Sequence, residues 1–232
     1  WLTIKTYGTT VLFCCANYET CFLRWLIFHC WRHQTKILYS EHPPLMVKLI
    51  ILDRDGVINQ DSSVYVKTAE EWLPIPGSID AIVRLYRAGY TIVIATNQSG
   101  LGRGLFNIGA LDEMHSKLAG LLLPFGATIA EIFYCPHSPE DLCGCRKPAS
   151  GLLDQIAKKW ATSLAGVPFV GDSLRDLRAG LTHRCMPILV RTGKGAETEK
   201  MLRQQKEVVL QQANIFDDLA QAADHLCAET FL

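Results

Sequence analysis

The chain has 232 residues, with 23 lysines and arginines against 23 aspartates and glutamates, and 49% of it is hydrophobic. That length supports one sizeable core and one or two domains. The balanced charge argues against a nucleic-acid or anionic-membrane partner, and the apolar share is ordinary for a globular protein in water.

Residues 1–45 differ from the rest. They hold Cys14, Cys15, Cys21 and Cys30 of the nine cysteines, Trp1, Trp25 and Trp31 of the five tryptophans, and no aspartate. Their densest apolar run, "CFLRWLIFHCW", is broken by Arg24 and His29 and is too short to span a bilayer. It also lacks the order of a signal peptide. Met46 directly precedes "VKLIILDRDG". The expectation is an N-terminal extension over 1–45 lying outside the functional domain, and a functional domain over 46–232. A membrane or partner anchor is the alternative for the extension.

From Met46 onward strand-like and helix-like segments alternate. "VKLIIL" is a short β-branched apolar run suited to a strand buried on both faces, and it stops at Asp53. "GSIDAIVRLYRAG" places Ile79, Ile82, Val83 and Leu85 at helical spacing, with Gly89 where a helix would end. "YTIVIAT" reads as a strand, "GALDEMHSKLAGLLLPFG" as a helix and "IAEIFYC" as a third strand. "GLLDQIAKKWA" and "SLRDLRAGLTH" are helical, flanking a strand at "VPFVGD". "MPILVRTG" is strand-like, and "AETEKMLRQQ" and "IFDDLAQAADHL" read as surface helices. This alternation predicts an α/β fold, a doubly wound, Rossmann-like parallel sheet with helices on both faces. The segment from Asn59 to Pro76 is long enough only for a short flap, so no large cap domain is expected.

In such folds the site lies beyond the carboxyl ends of the strands. Four predicted strand ends deliver Asp53, Thr96, Cys135 and Asp172 there. Asp53 and Asp55 alternate along an extended chain, so they converge only if the chain bends after the strand, and Gly56 permits that bend. One carboxylate can attack phosphorus while a second shuttles the proton; turn chemistry is the plainer alternative for "DRDG". Thr96 and its neighbouring amides could hold phosphate oxygens, or Thr96 could be a turn residue. "GLGRG" (100–104) is no phosphate loop by pattern and reads as a flexible turn, with Arg103 free to reach an anion. In "CRKP", Lys147 could neutralise a transferring phosphoryl group and Arg146 offers a planar fork for phosphate or hydroxyls; solvated surface charge is the alternative. Asp172 near Asp53 would make an oxygen site for Mg²⁺, with a helix N-terminus following at Ser173. Asp176 could be a first-turn acid complementing that helix dipole.

The most specific local signal is "CPHSPEDLCGC" (135–145). Cys135, His137, Cys143 and Cys145 meet the ligand count of a closed tetrahedral zinc site, which leaves no open position and is therefore expected to be structural. The close cysteine spacing argues for metal rather than disulfides and for a reducing compartment. His115 is expected to be exposed on its helix. Trp72 and Trp160 read as packing residues, and His183, Cys185 and His225 have no partner visible in sequence.

Together these residues resemble the haloacid dehalogenase superfamily of phosphatases. "DRDG" is similar to its first motif, Thr96 to its second, Lys147 to its third and "GDSLRD" to its fourth. Within it, "DRDGVIN", "TNQSG", "CPH…CGCRKP" and "VGD" resemble the heptose bisphosphate phosphatases, and the histidinol-phosphate phosphatases share most of the set. The resemblance covers about residues 46–195 closely and the C-terminal helices loosely, and residues 1–45 have no counterpart in it.

The resemblance implies roles. Asp53 would be the nucleophile and Asp55 the general acid and base. Thr96 and Lys147 would steady the phosphoryl group. Asp53, the backbone carbonyl of Asp55, and Asp172 would hold Mg²⁺. Arg146 would recognise the distal part of the substrate, with Asp61, Tyr65, Asn97, Gln98, Ser99 and Arg103 as further substrate-site candidates. Two departures stand out: the His137–Cys143 segment is short, and Ser173 stands where some relatives have lysine. The expected enzyme is a Mg²⁺-dependent cytoplasmic monomer that acts on a small phosphorylated sugar and has no nucleic-acid or membrane partner. It would remove the 7-phosphate of a heptose bisphosphate and so supply activated heptose for bacterial surface polysaccharide. Histidinol phosphate is the alternative substrate, and a non-catalytic protein with a zinc-stapled loop is the alternative of another class.

Overall fold

The computed structural model describes residues 2–6, 9–13, 47–205 and 213–228. The chain divides into two compact units, residues 1–45 and 46–232. The described part of the first is an antiparallel hairpin of β1 (Leu2–Thr6) and β2 (Thr9–Phe13), with Thr6 paired to Thr9. The cysteines, tryptophans and apolar run that set this unit apart lie outside the described residues.

The second unit is built on six strands: β3 (Leu49–Leu52), β4 (Thr91–Asn97), β5 (Glu131–Cys135), β6 (Pro168–Gly171), β7 (Met186–Val190) and β8 (Asn214–Phe216). Their order is β5-β4-β3-β6-β7-β8, and every neighbouring pair is parallel. The chain winds outward from β3 through β4 to β5, then returns to β6 on the other side of β3. That reversal opens a crevice beyond the carboxyl ends of β3 and β6.

Strand alternation feeds two core layers. Leu49, Ile51, Val93, Ala95 and Phe169 face one side with Leu152, Leu153 and Ile156 of helix α4 (Gly151–Lys159) and Ala179 of α5 (Leu174–Thr182). Ile50, Leu52, Ile92, Ile94, Val170 and Ile188 face the other. There they meet α1 (Ser78–Arg87), α3 (Ile108–Leu122) and α7 (Leu219–Ala228). All four β3 side chains are buried, so each contributes about 1.5–3 kcal/mol of hydrophobic stabilisation. The strand that ends at Asp53 is thus anchored on both faces.

Three expectations need correction. "IFDDLAQAADHL" is not one helix: Ile215 and Phe216 belong to the edge strand β8, and the helix begins only at Leu219, where the Asp218 carboxylate accepts from the Gln221 N–H at 2.8 Å. Nor is α7 a surface helix, since Leu219, Ala222, Ala223 and Leu226 are buried in the core shared with α1. "GLGRG" begins inside a short helix, α2 (Ser99–Gly102), rather than forming a flexible turn. Another helix, α6 (Gly195–Gln205), buries Leu202 against Leu177 and Leu189. Trp72 and Trp160 do pack: Trp72 is fully buried, and Trp160 tilts against Phe133 at 6.1 Å between ring centroids.

The flap over 59–76 contains no helix or strand. It is held by buried Trp72, by an isolated bridge between Asn59 and Pro74, and by Lys117, whose Nζ donates to the Ala69 and Trp72 carbonyls at 2.6 and 2.7 Å. Among the described residues no helix is long and apolar enough to cross a membrane.

Candidate active site

The crevice at the strand reversal holds a cavity of ≈ 330 Å³. Asp53 enters it directly from β3, its N–H donating to the Val170 carbonyl at 2.9 Å. The chain then bends sharply. Gly56 sits at φ +82° and its N–H donates to the Asn59 carbonyl at 2.7 Å. A Cβ on Gly56 would lie 2.1 Å from Asp172 Oδ2, so both the backbone angle and the space require glycine. The bend brings Asp53 and Asp55 to the same cavity.

Lys147 arrives from the loop after β5 and is almost wholly buried, at 1% exposure. Its Nζ lies 2.9 Å from Asp53 Oδ1 and 2.6 Å from Asp176 Oδ1, and it donates to the Ala95 carbonyl at 2.7 Å. Burial works against its charge, but Asp176 and Asp53 outweigh it and hold its pKa above the usual lysine value. Asn97 clamps the Lys147 backbone from both sides: its Oδ1 accepts from Lys147 N–H at 3.0 Å and its Nδ2 donates to the Lys147 carbonyl at 3.1 Å. Asn97, expected at the substrate, lines the cavity and also uses its amide to place Lys147. Asp176 likewise exceeds its expected part as a dipole-complementing acid. It is buried, pairs with Lys147, and accepts from Ser173 Oγ at 2.5 Å and Ser173 N–H at 3.1 Å.

Asp172 follows β6 and is 4% exposed. Its Oδ2 accepts from the Lys194 N–H at 2.9 Å, and its carbonyl accepts from Thr198 Oγ1 at 3.0 Å. Carboxylate oxygens of Asp53, Asp172 and Asp176 lie within 4.8 Å of one another. Burial, then the Asp176 charge, pushes Asp172 up to about 6. Burial raises Asp53 well above the carboxylate range, against the pull of Lys147 and with Asp176 and Asp172 adding to the rise. Such a buried, under-neutralised acid cluster fits a divalent cation, which would restore the ionised forms.

Asp55 has the opposite environment. Burial opposes its charge, but the Arg54 guanidinium and hydrogen bonds from Asn59, Arg54 and Gln98 hold its pKa below the usual value. Arg54 Nη2 donates to both Asp55 oxygens at 2.9 and 3.0 Å, Asn59 Nδ2 to Oδ1 at 2.8 Å, and Gln98 Nε2 to Oδ2 at 2.8 Å. Gln98 also donates to Thr96 Oγ1 at 2.9 Å and accepts from Arg54 Nη2 at 3.1 Å. Arg54 and Asn59 were not singled out from the sequence, although "DRDGVIN" contains both.

Thr96, Gln98, Ser99, Arg146, Asp61 and Tyr65 all line the cavity, as expected. Arg103 does not: its Nη2 pairs with both Glu140 oxygens at 3.0 Å on the exposed surface, so it is not free for an anion. Asp61 pairs with Lys194 Nζ at 2.6 Å, which ties the flap to the loop after β7. Lys194 and Arg175 also line the cavity and went unnoticed in sequence; their position just beyond a predicted strand end was the signal available. His115 is half-buried rather than exposed, and burial followed by the Arg54 charge lowers its pKa to about 4. His183 gains a partner, Asp154, at 2.8 Å.

Cys135, His137, Cys143 and Cys145 converge: their ligand atoms all lie within 4.8 Å of one another, and every pair but His137–Cys143 is separated by 3.2 to 3.6 Å. A tetrahedral ion with ligands at about 2.3 Å needs separations of about 3.7 Å, so the cluster could hold one metal ion with little adjustment. Burial, then the Cys145 hydrogen bond, pushes the Cys135 thiol up to about 12, a value that a bound cation would reverse. The loop feeds straight into Arg146 and Lys147.

A family model described as HAD-hydrolase-like matches residues 144–222. The chain is 49% identical over 180 residues to the D-glycero-beta-D-manno-heptose-1,7-bisphosphate 7-phosphatase of Pseudomonas putida, covering 78% of this chain and 99% of that protein. The enzyme of the same name from Pseudomonas aeruginosa is also 49% identical, over 77% of this chain and 97% of that one. Among solved structures, the D,D-heptose 1,7-bisphosphate phosphatase from B. bronchiseptica, complexed with magnesium and phosphate, matches with a TM-score of 0.74 at 48% identity, covering 79% of this chain and 99% of that chain. The six-stranded parallel sheet, the carboxylate crevice and these near full-length matches agree: the chain belongs to the heptose bisphosphate phosphatase family of the HAD-like hydrolases.

Proposed function

We propose that the chain hydrolyses the 7-phosphate of D-glycero-D-manno-heptose 1,7-bisphosphate through an aspartyl-phosphate on Asp53. The observation that carries this reading is the buried Lys147 ammonium, 2.9 Å from the Asp53 carboxylate at the strand reversal. An Asp53 oxygen attacks phosphorus as the bond to the sugar oxygen breaks. Asp55 gives its proton to that oxygen. Asp55 then takes a proton from water as the water attacks phosphorus, releasing phosphate and restoring Asp53. The donors around Asp55 favour its carboxylate form, suited to the second half; a phosphate dianion beside it raises its pKa, suited to the first.

Lys147 and Thr96 would hold the phosphoryl oxygens. Asp53, the Asp55 carbonyl and Asp172 would hold Mg²⁺, which supplies positive charge against the phosphoryl group and the acid cluster. Cys135, His137, Cys143 and Cys145 would hold a structural Zn²⁺. A charged sugar phosphate does not cross a membrane unaided, so the reading is of a cytoplasmic enzyme.

The test compares kcat/KM for the heptose bisphosphate and for histidinol phosphate with Mg²⁺ present, following phosphate release. The reading expects a clear preference for the bisphosphate. A preference for histidinol phosphate would reverse the substrate assignment while keeping the chemistry.

A further inference from the structure

The charges around the cavity pair unevenly. Arg54 is committed to Asp55 at 2.9 Å, Lys147 to Asp53 and Asp176, and Lys194 to Asp61 at 2.6 Å. Two cations in the wall remain. Arg146 is half-buried and makes one long hydrogen bond, from Nη1 to the His137 carbonyl at 3.4 Å. Arg175 is exposed, and among the described residues its side chain makes no hydrogen bond or ion pair. It also sits in the first turn of α5, where the helix dipole disfavours positive charge. Two guanidiniums lining one cavity repel each other: burial first, and then the Arg175 charge, lowers the pKa of Arg146. The acid nearest Arg175 in sequence, Asp176, feels its charge but is already taken by Lys147 and Ser173, so an anion in the cavity would relieve the repulsion between the two guanidiniums.

Lys147, together with a divalent cation that the acid cluster would hold, would balance the transferring phosphate, which leaves Arg146 and Arg175 for another anion. We infer that Arg175 is a specificity-determining residue: with Arg146 it takes the second phosphate of a bisphosphate substrate, the one that is not transferred. This rests on reading the cavity as a sugar-bisphosphate phosphatase site. Planar guanidinium forks suit phosphate oxygens, and a pair of them suits a dianion. The same pair repels a substrate whose distal end is cationic.

The test measures kcat and KM for heptose 1,7-bisphosphate and for the matching 7-phosphate that lacks the 1-phosphate, on wild type, Arg175→Met and Arg175→Lys. Arg175→Met lowers kcat/KM for the bisphosphate roughly ten- to a hundredfold, mainly through KM, and leaves the monophosphate unchanged. Arg175→Lys recovers part of the loss. Equal losses on both substrates, or no loss on the bisphosphate, would overturn the assignment of Arg175 alone. A wild type that hydrolyses neither sugar phosphate would overturn the cavity reading and this assignment together.

Discussion

Lys147 carries the largest share of the charge balance at residue scale. It is buried between Asp53 and Asp176, so its removal leaves two acids uncompensated in the interior. Lys147→Met is expected to lower unfolding free energy by about 3–5 kcal/mol in a denaturant titration. The same change should lower kcat by about a hundredfold or more, since one preorganised charge at the reacting centre is lost. Unchanged turnover would remove Lys147 from the chemistry. His115 gives a pH signature. Its folded pKa of about 4 lies below the unfolded value, so the fold holds it neutral. Its contribution to stability is present above about pH 6.5 and is lost as pH falls from there towards about 4. His115→Gln should flatten that part of the stability profile, by at most one proton, about 1.36 kcal/mol per pH unit. Urea midpoints across this range would show it; parallel profiles for the two proteins would contradict it.

At the scale of elements, the cysteine loop joins the fold to the chemistry. Cys145 is two residues from Lys147, and the loop is otherwise tied down by Arg103–Glu140 and by the N–H groups of Gln98, Gly102 and Gly151, which donate to the Cys135, Pro136 and Gly144 carbonyls at 2.8, 2.9 and 3.0 Å. If a metal closes the four ligands, Cys145→Ser should lower Tm by about 5 °C or more and reduce kcat by displacing Lys147. A calorimetric Tm equal to wild type would mean that the loop stands without metal. This loop was legible in sequence because its ligand types and spacing are local. The strands β3 to β7 were legible for a similar reason: each is a short apolar run, and β3 to β6 each lead into a reactive residue. β8 was not, because three residues at a sheet edge carry no period of their own and merge into the helix that follows. The engagement of Asn97 by the Lys147 backbone was also hidden, since it joins residues fifty positions apart. Arg103 misled because its partner, Glu140, lies on a loop folded back across the surface.

For the whole molecule, the residues that hold and surround the crevice all lie within 46–232, and that part forms its own compact unit. A chain beginning at Met46 is expected to fold cooperatively and to keep full kcat/KM. An insoluble or inactive product would assign residues 1–45 to the working fold. The switch in strand order explains why acids from β3 and β6 meet; β-α alternation implied a doubly wound sheet with its site beyond the strand ends, but neither the strand order nor which cations pair with which acids, because the first depends on where each crossover lands and the second on side-chain reach across the crevice. The central claim is covalent catalysis by Asp53, and acid quenching during turnover of substrate labelled at the 7-phosphate tests it most directly. The account predicts label trapped on Asp53 in wild type, and neither trapped label nor turnover in Asp53→Asn. Phosphate release at the wild-type rate from Asp53→Asn would contradict it.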